Sequence, residues 1–205
     1  MAPSRKPENT WVMVLGGVIA LGLVGGVVAL DRIAVPIDGV IRVGALLGYL
    51  AVFLAALSSN YMRELTKFFG RPFPKVHHVV TVTALLALAV HATSVAWRAG
   101  TPAVFVPEVS SILSFFSLGG SPAFWLIAVT SLTALLRASI GKSWKTIHWL
   151  NYVAFLLGTV HAQLIGPNIQ HLGVRIVSGA MAAGLIVVFV LKRLQEQKRR
   201  RKKRA

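Results

Sequence analysis

The chain has 205 residues, 55% of them hydrophobic and 14% charged, with a mean hydropathy of +0.69. About a quarter of the residues of a soluble domain are charged, so this composition excludes an ordinary soluble globule and points to a membrane. Lys and Arg number 22 against 6 Asp and Glu, a net charge of +16, but residues 192–205 hold nine bases and one acid and so supply +8 of it. That concentration in a tail removes most of the support for nucleic acid as a partner. Cysteine is absent, which excludes disulfides, thiolate zinc sites, iron–sulfur clusters and covalently attached haem.

A hydrocarbon core of about 30 Å needs about 20 apolar residues to cross it. Runs of that kind predict six spans, over residues 11–30, 39–58, 76–97, 122–138, 145–165 and 173–191, and so an all-α six-transmembrane helical bundle. The first run is long for a removable signal peptide and lacks a small-residue cleavage site, so it is expected to remain as a span. The expected organisation is a cytoplasmic N-terminal segment over 1–10, one membrane domain over 11–191 and a basic cytoplasmic tail over 192–205. Alternate connections carry 18 bases on one side and four (Arg32, Arg42, Arg98 and Arg175) on the other. By the positive-inside rule both termini then face the cytoplasm of a multi-pass cell (inner) membrane, the parity that six spans require. The tail reads as a topology anchor and an anionic-lipid contact rather than a recognition arm. The longest outer connection, 99–121, contains VPEVSSILSFFSLGG and predicts a short helix on or in the membrane surface that covers a site at that end.

All six acids, Glu8, Asp31, Asp38, Glu64, Glu108 and Glu196, fall in connections or tails. Ion-coupled transport usually needs a carboxylate inside the bundle, so that function loses support. Histidines do lie at membrane depth: His91 and His161 inside spans three and five, and His77, His78 and His148 at the starts of the same spans. Spans three and five run in the same direction, which sets His77 level with His148 and His91 level with His161. The 14 residues from His77 to His91 rise about 21 Å, so two levels of imidazole fit within one bilayer. Fourteen steps of 100° fall about 40° short of four turns, whereas the 13 from His78 fall about 140° short, which favours His77 as the inward member with His78 as the alternative. His148 and His161 are also 13 apart, so span five needs a kink, tilt or bulge to aim both at one partner helix.

Two imidazoles per level, with no thiol or carboxylate nearby, suit haem iron held at both axial positions; zinc or copper would want three or four ligands at one level. Gly158, Ala84 and Ala87 are small residues that would make room for a porphyrin, a role that competes with ordinary helix packing. Cations that could meet haem propionates are Lys75, Lys142 and Lys145 inside and Arg98 and Arg175 outside. The tryptophans near span ends read as interfacial belt residues, and His171 as a loop residue.

With these residues in view, SWKTIHWLNYVAFLLGTVHA resembles the fifth span of the ferric reductase-like transmembrane domain family, and KVHHVVTVTALLALAVHA is similar to its third. The resemblance covers roughly residues 40–190 and is to the domain-only prokaryotic branch, which includes the haem-binding membrane subunit of a periplasmic methionine sulfoxide reductase system. It implies non-covalent b-type haem, two groups rather than one, with His77 and His148 on the inner iron and His91 and His161 on the outer. It implies electron transfer from a cytoplasmic or quinol donor to an outer-face acceptor: a metal ion, an oxidant or a partner reductase. No dinucleotide fingerprint occurs, so no FAD or NAD is expected on this chain and a separate reductase or membrane quinol must supply electrons, which makes the expected protein an oxidoreductase (electron-transfer) subunit without its own flavin or nicotinamide domain. The alternative reading is a proton-linked transporter or permease that uses the membrane histidines without haem.

Overall fold

The computed structural model of the chain describes residues 35–69 and 72–202, together with Gly22 and Gly25. The predicted span over 11–30 lies outside the described residues. Helix α1 (Pro36–Ser59) starts where Val35 is extended before a proline, with Asp38 in the positively polarised first turn. A short amphipathic helix, α2 (Met62–Phe69), follows, and α3 (Phe73–Ala99) runs until Gly100, whose φ of 65° places it in the left-handed region that ends a helix. The long outer connection contains α4 (Ile112–Ser117), capped by the Ser111 hydroxyl, which accepts from the backbone N–H of Ser114 at 3.0 Å. Then come α5 (Gly120–Leu135), a single turn α6 (Arg137–Ile140), α7 (Trp144–His148), α8 (Leu150–Ile165) and α9 (Leu172–Lys202). Among the described residues there is no strand.

Among the described residues three helices, α1, α3 and the Leu172–Arg199 part of α9, are long and apolar enough to cross a membrane; a fourth is reached if α5 and the Arg137–His148 segment, bent by 79°, form one span. Helices α5 and α8 have 16 residues each, about 24 Å, short of the hydrocarbon thickness. The helix expected over 122–138 ends early because the chain turns at Leu136 and again at Gly141, where φ is 67°. The helix expected over 145–165 is interrupted at Trp149, and the last one does not stop at Leu191 but runs on through the basic segment to Lys202.

Side-chain contacts give each helix a direction against α1. Gly44 sits against His91 and Gly48 against Leu88, while Ser58 meets His77, so α3 runs antiparallel to α1. The Tyr49 hydroxyl lies 3.0 Å from that of Thr159 and the Asn60 amide donates to the Tyr152 hydroxyl at 2.9 Å, so α8 is antiparallel to α1 as well. Helices α3 and α8 are therefore parallel to one another. Helix α5 opposes α8 (Thr130 meets Asn151), and α9 opposes α8 (Gln163 donates to the Ser178 hydroxyl at 2.7 Å, and Tyr152 packs on Phe189).

The core is built from small residues that let backbones approach: Ala51, Ala56, Ala84, Ala123, Ala154 and Ala182 are buried around Leu57, Ile127, Phe155 and Leu185. Tyr49 stacks on Phe155 with ring centroids 4.8 Å apart. Large apolar side chains such as Val79, Leu86, Leu132 and Val187 point outward, an arrangement suited to lipid and not to water.

At Gly44 the backbones of α1 and α3 come close: an added Cβ would stand 3.1 Å from the Ala87 carbonyl oxygen and 3.2 Å from the His91 nitrogen. A Gly44→Val chain should lose about 1–3 kcal/mol as α1 and α3 separate, seen as a lower thermal midpoint in detergent. Gly184→Ala, whose Cβ meets nothing within 4 Å, should not lower that midpoint.

Candidate functional site

All four histidines singled out by depth are half-buried in the bundle. His77 is in the first turns of α3, with Nδ1 3.5 Å from the Ser58 hydroxyl and the imidazole of His148 within electrostatic range. His78 is exposed, its ring centroid 6.2 Å from that of His77. His91, fourteen residues on, lies within electrostatic range of His161. Because α3 and α8 both oppose α1, that helix serves as a common ruler. One half of it, called outer after the expected orientation, carries Ile41 and Gly44 beside His91 and Tyr49 beside Thr159, and the opposite end, called inner, carries Ser58 beside His77 and Asn60 beside Tyr152.

The outer pair has a defined protonation. His91 Nδ1 lies 3.0 Å from the Ile41 carbonyl oxygen, and His161 Nδ1 lies 2.7 Å from the Ser117 carbonyl oxygen. A carbonyl can only accept, so each Nδ1 carries a proton, and in the neutral form of each ring the lone pair is then on Nε2. Ser117 is the last residue of α4, and a helix's final carbonyls have no partner within the helix, which is why this one is available. Helix α4 thus delivers a backbone acceptor to a histidine inside the bundle. No motif in the sequence announces that acceptor, because it is a backbone group placed by tertiary structure.

Gly120 makes room for the same ring. A Cβ there would lie 3.0, 3.1 and 3.3 Å from Nε2, Cε1 and Cδ2 of His161. Such near-equal distances put the added atom over the ring face; a point in the ring plane ahead of Nε2 would be clearly farther from the two carbons. The glycine therefore clears the face of the imidazole, and the in-plane lone pair is not directed at α5. Gly158, one turn before His161, has nothing within 4 Å of a notional Cβ, as a residue that makes room should. Ala84 and Ala87 do not share that property: Ala84 is buried in the core, and the Ala87 carbonyl lies against Gly44. Their small size serves the packing of α3 on α1.

At the inner level side chains join the backbone as partners, the Thr130 backbone also meeting His148. The Asn151 Nδ2 lies 3.2 Å from His148 Nδ1, and its Oδ1 accepts from the Thr130 hydroxyl at 2.6 Å, with Thr130 fully buried. The chain between His148 and His161 is not a uniform α-helix. The Trp149 N–H is shared between the Lys145 and Thr146 carbonyls at 3.3 and 3.2 Å, and the Tyr152 N–H reaches back only to Trp149 at 3.0 Å. Each residue wound this tightly turns about 20° more than in an α-helix, so three of them cut the ideal offset between the two histidines from about 140° to about 80°.

The candidate cations are at both ends. Lys75 starts α3, Lys142 is in the turn after α6 and Lys145 lies one turn before His148, all three exposed. Arg98 is in the last turn of α3 and is bound to Asp38 at 2.6 Å, while Arg175 is exposed near the start of α9. A polar pair not foreseen from sequence lies at the outer end: Arg42 Nε donates to Oδ1 of the buried Asn168 at 2.6 Å. Among the described residues no three His, Asp or Glu side chains gather as a metal-binding group. No family model, curated protein or solved structure matches the chain.

The Thr130 hydroxyl and the Asn151 amide are mutually dependent in an apolar setting. Thr130→Val should cost about 1–3 kcal/mol by leaving Asn151 Oδ1 unmatched, and the double variant with Asn151→Leu should recover part of that loss in denaturation midpoints.

Proposed function

We propose that the chain is a transmembrane electron carrier of the ferric reductase-like transmembrane domain class, with six spans and two b-type haems between spans three and five. The observation that carries this reading is the pair of parallel helices α3 and α8 with imidazoles at two matched depths, the outer two holding Nε2 free for a metal. His91 and His161 would hold the outer haem, and His77 and His148 the inner one. The outer residues fit the group in donor chemistry, since each Nδ1 faces a carbonyl and leaves Nε2 to iron, whereas His148 would have to turn its Nδ1 away from the Asn151 amide N–H to do the same; α3 and α8 meet through α1 rather than packing extensively on each other. When bound, haem iron supplies a reversible one-electron change that no side chain of this chain offers.

The chain's own residues do the positioning. The carbonyls of Ile41 and Ser117 set the tautomer and rotation of the outer imidazoles, as outer-shell acceptors do for metal-bound histidine generally. Gly120 keeps the face of His161 clear, and the apolar helices around both levels exclude water. Lys75, Lys142 and Lys145 at the inner end and Arg98 and Arg175 at the outer end are the cations available to carboxylates that reach either surface. Electrons would enter from a cytoplasmic or quinol donor and leave to an acceptor at the outer face.

A reduced-minus-oxidised spectrum of the purified chain should show sharp b-type bands, with about two haems per chain; a spectrum without such bands rejects the reading. His91→Ala and His161→Ala should each halve the haem content, and His77→Ala should lower it where His78→Ala does not. Gly120→Leu should reduce occupancy of the outer level alone, because its side chain would take the space over the His161 ring.

A further inference from the structure

Helix α9 passes the level of Lys192 without a break and continues to Lys202. A collar of rings marks that level. Lys192 Nζ lies 3.3 Å from Glu64 Oε1 and 4.2 Å from the centre of the Tyr61 ring, and the Arg193 guanidinium lies 4.5 Å from Trp149 and 5.1 Å from Phe189. Cations laid over aromatic rings are characteristic of the hydrocarbon boundary. Burial works to raise the Glu64 carboxyl, but its backbone hydrogen bond and Lys192 hold it below the usual carboxylate range, so the collar keeps its ion pair.

Residues 192–202 rise about 16 Å at 1.5 Å each, whereas the headgroup layer is about 5–8 Å thick. The tip, with Lys198, Arg199, Arg201 and Lys202 exposed, therefore stands about one Debye length, about 8 Å, beyond the headgroups. After Leu194 the segment QEQKRRRKKRA has no large apolar side chain, so it lacks the apolar face that holds a helix in a bilayer surface. It also carries uncompensated charge. Cations three and four residues apart, such as Lys198 with Arg201 and Lys202, repel one another on a helix. Among the described residues the acids at this end are already engaged, Glu196 by Arg193 at 2.7 Å and Glu64 by Lys192.

We propose that residues 194–202 form a helical docking arm for the acidic face of a soluble electron-donor protein. The collar at its base includes Trp149, the neighbour of His148, so the arm rises from the end of the bundle that carries His77 and His148. This assignment rests on the electron-carrier reading. The contact makes no covalent bond; the partner is oxidised by one electron for each that enters the chain.

The test uses the full chain in nanodiscs of phosphatidylcholine, with and without phosphatidylglycerol, and an acidic flavodoxin as the probe. The unaltered chain should bind it with an affinity that falls about tenfold between about 50 and about 200 mM salt. A chain with Lys198→Gln, Arg199→Gln, Arg201→Gln and Lys202→Gln should bind about tenfold more weakly at the lower salt and lose most of the salt dependence. Equal binding by both chains overturns the proposal. So does arm-dependent binding that vanishes in discs containing phosphatidylglycerol, since lipid headgroups would then occupy the arm. Haem absorbance of the same samples is a separate readout: its absence removes the electron-carrier reading, while the binding comparison still decides whether the arm holds an acidic protein.

Discussion

A neutral imidazole carries one N–H that hydrocarbon cannot satisfy, and that single requirement organises the outer half of this bundle. The N–H of His91 takes the second lone pair of a carbonyl within α1, and the N–H of His161 takes a carbonyl left over at the end of α4. Each choice constrains a larger element. Helix α1 must approach α3 closely enough for Ile41 to reach His91, which Gly44 and Gly48 permit. Helix α4 must turn back into the bundle at Leu118 and Gly119 so that Ser117 meets α8. With both Nδ1 atoms committed, the remaining nitrogens become the free valences of the site.

Other polar groups in the bundle obey the same rule. The Tyr49 hydroxyl is matched by Thr159 and by the Ser178 carbonyl, and Gln163 by Ser178 and the Arg175 carbonyl. These contacts join α1, α8 and α9 and need nothing further. The contrast is one of element: the outer histidines leave a ring nitrogen, a metal-binding atom, outside these bonds, whereas the atoms left over on Tyr49 and Gln163 are oxygens.

Charge is distributed by the same logic of cost. Cations at the inner end of α9 lie over rings or beside Glu64, where their stems stay apolar and their heads stay wet. Farther along the same helix the rings stop and the cations continue. The segment changes from a membrane-boundary feature to a protruding one although the secondary structure does not change.

Hydropathy alone determined that the protein is a bundle of apolar helices, because burying a backbone in lipid leaves a sequence few alternatives. The spacing of His77 and His91 likewise set their separation along α3, since rise per residue is a constant of an unbroken helix. Tertiary structure decided the rest. The break at Trp149 depends on how α7 and α8 meet, and the shortened α5 depends on the turns at Leu136 and Gly141. The role of Ala84 as packing and of Gly120 as clearance depends on which helix lies opposite. The acceptors for His91 and His161 are backbone carbonyls, chemically identical at every position of the chain, so only the folded arrangement selects Ile41 and Ser117 from among them.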